Sequence, residues 1–543
     1  MKKYIQYAIY LFLCAALILA IAACTQESKQ QSEASTEISE PITHDMRSTL
    51  LQLIEMPRGY EYKVSEEDLE AYKALRRKII SEMAFMTVSQ YEAYCADLTK
   101  LLEKANTCQK ASLPCIYLDT EGSVSIDREY VSTSVTVVDA ESGSQATLTV
   151  PDATAKTRGN SSKEPSKKSY KLKFTESQEL LSLGKSKTWN LISNVYDKTL
   201  LRNKLAYDLA REIGVNTPDC AFVEVYLNGE YRGNYLLTES VSSGKTKVDI
   251  DITKGDFLIE LEQNPRVSSK TDKEHMFVTT KTYKTQFVVK EPEIAEMGKG
   301  RSEQIRDFLN AAEKALRSGD LKQIQKYFDV ESFINYYIVA ELFKNLDIAY
   351  SSTFFYVKDG IIYAGPAWDF DLSSGNVSET SQNAKYIAYY NRDGYGTNTG
   401  NSYESLWVAH MHHDIDAHPE HYARYEHDIE EDEIEWYSAL FEIKAVRESM
   451  YARYNELQPK ICNLYEDNEL GKNRMDTLIG GIYDSVQRNY SDVDPTDYSW
   501  NVSDNNAMYS RTPQATYEEN VEELRTWLKQ RNEWLLWKFK DLN

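Results

Sequence analysis

The chain changes its hydrophobic rhythm several times. An apolar run over residues 9–21 follows Lys2 and Lys3, and the chain turns polar directly after Cys24. From residue 46 to about 110 the apolar positions Leu69, Tyr72, Leu75 and Ile79, then Met83 and Met86, recur at three- and four-residue steps. That spacing predicts helices. Around Leu113 the period shortens to two. Ile116, Leu118, Val124 and Ile126 alternate with polar residues, and residues 131–150 continue in short β-like runs. Residues 169–174 set Tyr170, Leu172 and Phe174 on one face and Lys171 and Lys173 on the other, a half-buried strand. A helix is predicted over 199–213, stopped by Gly214. Two runs, 222–227 and 231–237, then flank Asn228-Gly229, a hairpin turn whose two positions tolerate positive φ. Residues 256–261 read as a further strand.

Beyond residue 301 the period returns to that of a helix, through Phe308, Ala311, Ala312 and Leu316 and again over 333–346. A short β segment carries 353–357 and 361–363, joined by Lys358-Asp359-Gly360. Helical stretches around 434–458, 470–490 and 515–541 complete the pattern. The expectation is an α+β chain in which a β-rich lobe precedes an α-rich one.

The first 23 residues read as a signal peptide, because the apolar core is short and closes on small residues. Cys24 after Ala22-Ala23 matches a bacterial lipobox, in which the thiol is acylated. Residues 24–45 would then be a polar tether, and the rest would lie on the extracytoplasmic face of the membrane, held by a lipid anchor. A formal charge of −22 removes the broad positive field that nucleic-acid binding needs. Setting Cys14 and Cys24 aside leaves five cysteines without CxxC spacing, which argues against a disulfide framework or a zinc finger.

Two patterns can carry chemistry. Arg158-Gly159-Asn160-Ser161-Ser162 is a tight turn offering N–H groups and hydroxyls to an anion, with Lys167, Lys168 and Lys171 behind it. GxxxxGK[ST] is absent, which excludes a P-loop NTPase. In Trp368-Asp369-Phe370-Asp371 two carboxylates stand one residue apart at a strand end and are suited to Mg²⁺, a hard ion with oxygen ligands. Asp347 lies upstream, placed to accept a hydroxyl proton. A third cluster gathers six of the eight histidines between His410 and His427, a solvated insertion or a metal site without an HExxH motif.

Five segments resemble the spore coat protein H (CotH) kinase family in the same order: TRGNSSKEPSKKSYKLKF at 157–174, WNLISNVYDKTLLRNKLAYDLA at 189–210, VYLNGEYRGNYLLTES at 225–240, NLDIAYSSTFFYVKDG at 345–360 and GPAWDFDLSSGN at 365–376. The resemblance implies an atypical protein-kinase-like, two-lobed fold. A core over 111–376 would follow the helical segment 46–110, and a helical C-terminal part over 377–543 would carry the His-rich insertion at 410–427. It implies a kinase that uses ATP and Mg²⁺ or Mn²⁺ and phosphorylates Ser or Thr of surface or spore-coat proteins. Arg158, Gly159, Asn160, Ser161 and Ser162 would stand over the phosphates, with Lys168 or Lys171 in contact and Glu239 facing the nucleotide. Asp347 would be the catalytic-loop aspartate and Asp369 the metal ligand, supported by Asp371. One departure stands out: five positions after Asp347, where protein kinases carry a metal-binding Asn, this chain has Ser352. The alternative reading is a catalytically quiet surface scaffold or adhesin.

Overall fold

The computed structural model describes residues 41–54, 65–107, 113–140, 146–159, 167–245, 247–262, 276–298, 300–345, 348, 351–376, 402–404, 406, 408, 436–491 and 516–543. The leader, Cys24, Asn160 to Ser162, Asp347 and the His-rich stretch lie outside these residues. The chain divides into two compact units, residues 1–108 and 109–543.

In the first unit the three- and four-residue apolar steps become three helices, α1 (His44–Leu53), α2 (Glu66–Glu82) and α3 (Val88–Thr107). Ser65 caps α2 by accepting the Asp68 N–H, a contact that stabilises a helix start by about 1 kcal/mol. Leu50, Tyr72, Ile79, Met86 and Leu98 form the small core.

In the second unit the two-residue alternation produces seven strands: β1 (Cys115–Thr120), β2 (Val131–Val138), β3 (Leu148–Arg158), β4 (Ser169–Glu179), β5 (Lys185–Ile192), β6 (Cys220–Leu227) and β7 (Glu230–Glu239). They form a closed barrel in the order β1-β2-β3-β4-β5-β7-β6. The closing pair is parallel, with Cys115 opposite Glu224 and Leu118 opposite Leu227. Closure removes the exposed edges that an open sheet would leave. Alternate residues fill the interior: Ile116 and Leu118, Val135 and Val137, Ala153 and Ala155, Tyr170 and Leu172, Trp189 and Leu191, Tyr235 and Leu237. Each large apolar side chain buried there contributes about 1.5–3 kcal/mol. The Asn228-Gly229 turn forms as expected, with φ of 51° and 83°.

A second sheet follows: β8 (Phe257–Leu261), β9 (Met276–Thr279), β10 (Gln286–Glu291), β11 (Thr353–Lys358) and β12 (Ile361–Ala364), in the order β12-β11-β8-β10-β9. The part expected to be mainly α therefore has a sheet of its own. The expected β-rich lobe is a closed barrel. The described helices of this unit are α4 (Arg202–Glu212), α5 (Arg301–Arg317), α6 (Leu321–Ile324), α7 (Val330–Leu342), α8 (Trp436–Phe441), α9 (Lys444–Glu456), α10 (Gln458–Cys462), α11 (Arg474–Ser491) and α12 (Tyr517–Asp541). From Phe333 to Leu342, α7 is buried on every side, as an all-round apolar helix must be. Its end is tied to α12 by a fully buried ion pair, with Arg531 Nη2 2.6 Å from Glu341 Oε1. Cys95, Cys115, Cys220 and Cys462 are free thiols.

Candidate active site

The loop after β12 carries Trp368-Asp369-Phe370, and α4 holds it. The backbone N–H of Asp369 donates to Tyr207 Oη at 3.1 Å, and that of Phe370 donates to Asn203 Oδ1 at 2.7 Å. The Tyr207 ring stacks on Trp368 with centroids 6.1 Å apart. Arg202 reaches further along the loop, donating from Nε to the Ser373 carbonyl at 3.0 Å. From the other side, Asn345 Nδ2 donates to the Asp369 carbonyl at 3.1 Å.

Such bracing is required by the backbone. Lys344, Ser352, Asp369 and Ser374 all have positive φ, between 47° and 62°. A non-glycine residue held there costs about 1–3 kcal/mol and persists where neighbours over-determine it.

Arg158, the last residue of β3, brings the barrel to this loop. Its guanidinium lies over the Trp368 ring at 5.3 Å. The Asp369 carboxylate accepts a hydrogen bond from Ser352 Oγ at 3.2 Å. Burial pushes the Asp369 carboxyl above the ordinary carboxylate range. The positive charge of Arg158 and the Ser352 hydroxyl pull it back, and the negative Glu260 pushes it up. Glu260 is itself paired with Lys290 at 2.9 Å. The site thus joins a partly desolvated carboxylate, a guanidinium and a hydroxyl from three separate parts of the chain.

The remaining sequence-predicted residues are distributed as follows. Gly159 follows Arg158 with φ of 97°, a conformation that favours glycine. Lys171 faces away from the barrel interior, opposite Lys156 on β3 and Asn190 on β5, and so shares the outer face with Arg158. Lys168 is half-buried, and its carbonyl accepts the Tyr235 hydroxyl at 2.9 Å. Glu239 stands opposite Trp189, on the inward-facing side of β7 with Tyr235 and Leu237. The fold therefore brings Arg158, Ser352 and Asp369 together and places Glu239 on the other face of the barrel wall. Glu239 is fully buried with both carboxylate oxygens lacking a hydrogen bond, and burial pushes its pKa up to about 7. Asp371 is half-exposed, and its carbonyl accepts from Asn376 Nδ2 at 2.7 Å.

Of Lys167, Lys168 and Lys171, which follow the turn, Lys167 is the one taken out of water. Its Nζ donates to the Asn234 carbonyl at 2.5 Å and to Asn489 Oδ1 at 2.8 Å, and it lies over the Tyr235 ring at 4.8 Å. Burial lowers its pKa well below that of an ordinary lysine. Gly233 is required opposite it: a Cβ there would meet Asn489 Oδ1 at 2.4 Å and Lys167 Cε at 3.2 Å. This contact ties the start of β4 to β7 and α11.

A protein-family model described as CotH kinase protein matches residues 155–535. The chain belongs to the CotH kinase family. The match begins inside β3, just before Arg158, and ends inside α12, beyond Arg531, so it includes every described residue of the site. It leaves out β1 and β2, which complete the barrel. No curated protein matches the chain.

Asn203, Tyr207, Asn345 and Glu260 had no role in the sequence reading. A signal for the first two existed: α4 carries Arg202, Asn203 and Asp208 among its buried residues, polar groups that a helix core tolerates only with partners. Glu260 gave none, since its approach to Asp369 depends on β8 pairing with β11.

Among the described residues no group of three or more His, Cys, Asp or Glu could hold a metal ion. A phosphate-bound Mg²⁺ needs less, since it keeps water and takes one or two protein carboxylates beside the phosphate oxygens. The Asp369 carboxylate, with a single hydrogen bond among the described residues, fits that requirement.

Proposed function

We propose that this CotH-family chain is a phosphotransferase that moves the γ-phosphate of ATP to a Ser or Thr hydroxyl of a surface or coat-type protein. It would do so from the extracytoplasmic face of the membrane, held there by an acylated Cys24. The nucleotide would lie between the barrel and the second sheet with its helices, in the two-lobed manner of an atypical kinase. The observation that carries the reading is the placement of Arg158 over Trp368, next to Asp369, on a loop braced by Tyr207, Asn203 and Asn345.

Phosphoryl transfer asks a protein mainly for in-line positioning and fixed charge around the phosphate oxygens. Arg158 would hold those oxygens by charge-assisted hydrogen bonds, with Lys168 or Lys171 and the turn Gly159 to Ser162 beside it. Asp369, supported by Asp371, would hold Mg²⁺ or Mn²⁺, which supplies neutralising charge to the phosphates. Asp347 would accept the proton of the attacking hydroxyl. That oxygen bonds to the γ-phosphorus as the bond to the β–γ bridging oxygen breaks, and ADP leaves. The desolvated setting of Asp369 strengthens each of these charge interactions.

The test is incubation of the chain with γ-labelled ATP and Mg²⁺ or Mn²⁺. Label should pass to a protein hydroxyl, on the chain itself or on an added surface protein, and Asp347→Asn should abolish the transfer while ATP still binds. A parent chain that binds ATP and labels no acceptor overturns the enzyme reading in favour of a surface scaffold.

A further inference from the structure

The phosphotransfer reading leaves one ion pair of the second sheet unused. Glu260 on β8 and Lys290 on β10 meet at 2.9 Å, with side chains 17% and 25% exposed. The register fixes the face they occupy. Ile259 stands opposite Phe355, whose ring packs on Trp436 and Phe333 at 4.8 and 5.6 Å, on the helix side of the sheet. Glu260 and Phe354 are the next pair along, so both point the other way. That side leads to the candidate site. Ser352, two residues before Phe354, donates to Asp369, and the Glu260 charge raises the Asp369 carboxyl. From the spacing of paired strands and the rise per residue, the backbone of Glu260 stands within about 10 Å of that of Ser352.

A bulge in the ladder aims Lys290. Val289 pairs with Ile259, but it is Glu291 that stands opposite Leu258, so Lys290 is the extra residue. Bulges recur beside active sites, where they redirect a side chain. Here Lys290 turns to Glu260, while Glu291 Oε1 accepts the Ser243 N–H at 3.3 Å, from the segment that joins the barrel to the second sheet. The pair therefore lies on the path from that segment to Asp369. Among the described residues neither side chain has another hydrogen-bond partner. An ammonium group has three donors, so Lys290 retains N–H groups to give. Leu258, Val288 and Phe354 on the same face are buried, and an ion pair in such company gains little stability over apolar side chains of its size. A ligand anion gives the pair a use that stability does not.

We infer that Lys290, oriented by Glu260, is a phosphate-binding cation that reaches the nucleotide from the second sheet, as Arg158 does from the barrel. The inference rests on the ATP reading of the site. Glu260 is a positioning residue: its carboxylate neutralises Lys290 before the phosphates arrive and fixes the direction of the remaining N–H groups afterwards. One triphosphate is then held from both sheets, which couples nucleotide binding to the approach of the barrel.

The test is equilibrium dialysis of the full chain with labelled ATP and, separately, with labelled adenosine, both with Mg²⁺. Lys290→Met should weaken ATP binding about tenfold to a hundredfold, the loss of a charge-assisted hydrogen bond. Adenosine binding should stay at the parent value, because adenosine has no phosphate. Lys290→Arg should keep most of the ATP affinity. If Lys290→Met fails to fold with Glu260 left unpaired, Glu260→Gln combined with Lys290→Met removes both charges and should show the same selective loss. ATP affinity equal to the parent's in these variants, or ATP and adenosine weakened alike, overturns this inference alone. A parent chain that binds no ATP overturns the phosphotransfer reading and this inference with it, so the two failures are distinguishable.

Discussion

Asp197 and Asp369 are both carboxylates withdrawn from water next to α4, and the fold treats them oppositely. Asp197 is fully buried and saturated. Its Oδ1 accepts from the Thr199 N–H and hydroxyl at 3.0 and 2.7 Å and from Arg202 Nη1 at 2.6 Å, and its Oδ2 accepts the Arg202 N–H at 2.8 Å. Asp369 has the Ser352 hydroxyl at 3.2 Å and Arg158 stationed over the neighbouring indole. The first arrangement uses a charge to fix the start of a helix. The second leaves a desolvated charge with capacity for something more, as expected where a ligand completes the set. The difference separates an acid saturated by its own fold from one left with room for a ligand, when sequence shows only two aspartates.

Neutralising each acid sharpens the contrast. Asp197→Asn strands the Arg202 guanidinium, so stability should fall by about 3–5 kcal/mol, read by denaturant unfolding. Asp369→Asn removes a charge that burial already disfavours, so Tm should hold or rise while phosphoryl transfer falls a hundredfold or more, about 2.7 kcal/mol. A variant pair that lost stability equally would break the distinction.

Glu239 is a third buried acid, and its effect should show in the pH dependence of stability. Folding raises its pKa from 4.5 to about 7 through burial, opposed by the nearby Lys247. The folded state therefore keeps a proton that the unfolded chain releases between these values. Stability from this group is complete below about 4.5 and is lost as pH rises through about 7. Glu239→Gln should flatten that slope and stabilise the protein by about 1–3 kcal/mol at pH 8, measured by urea unfolding across pH. The smallest effect is expected from Ser352→Ala, which removes one hydrogen bond from the Asp369 carboxylate, about 0.5–1.5 kcal/mol. Asp369 should then titrate higher, moving the acid limb of the transfer rate upward in pH. An unmoved profile would separate Ser352 from the chemistry.

The strands legible in advance were those with strong alternation. Tyr170, Leu172 and Phe174 announced β4, and Asn228-Gly229 announced the β6–β7 hairpin. The second half of β3 was not read, since its interior positions are Ala153 and Ala155, too weakly apolar to stand out. β5 was missed because its interior face shows only Trp189 and Leu191 against a polar start. In the site, Arg158 and Asp369 were both singled out, and the fold places them together. Asn203 and Tyr207 were not, because their partners are backbone groups of a loop far along the chain.

By itself the sequence determined the periods of the elements, the inward face of the clearer strands, the hairpin turn and the helical first unit. These depend on alternation and turn chemistry within a few residues. Tertiary structure alone decided that the barrel closes through the parallel β1–β6 pair, and that Lys167 rather than its neighbour Lys168 is buried against Asn234 and Asn489. It also decided that Glu239 faces the barrel interior while Arg158 lies over Trp368, next to Asp369. Each outcome depends on which distant groups approach a side chain and how much water they displace, and those two quantities set hydrogen bonding and ionisation.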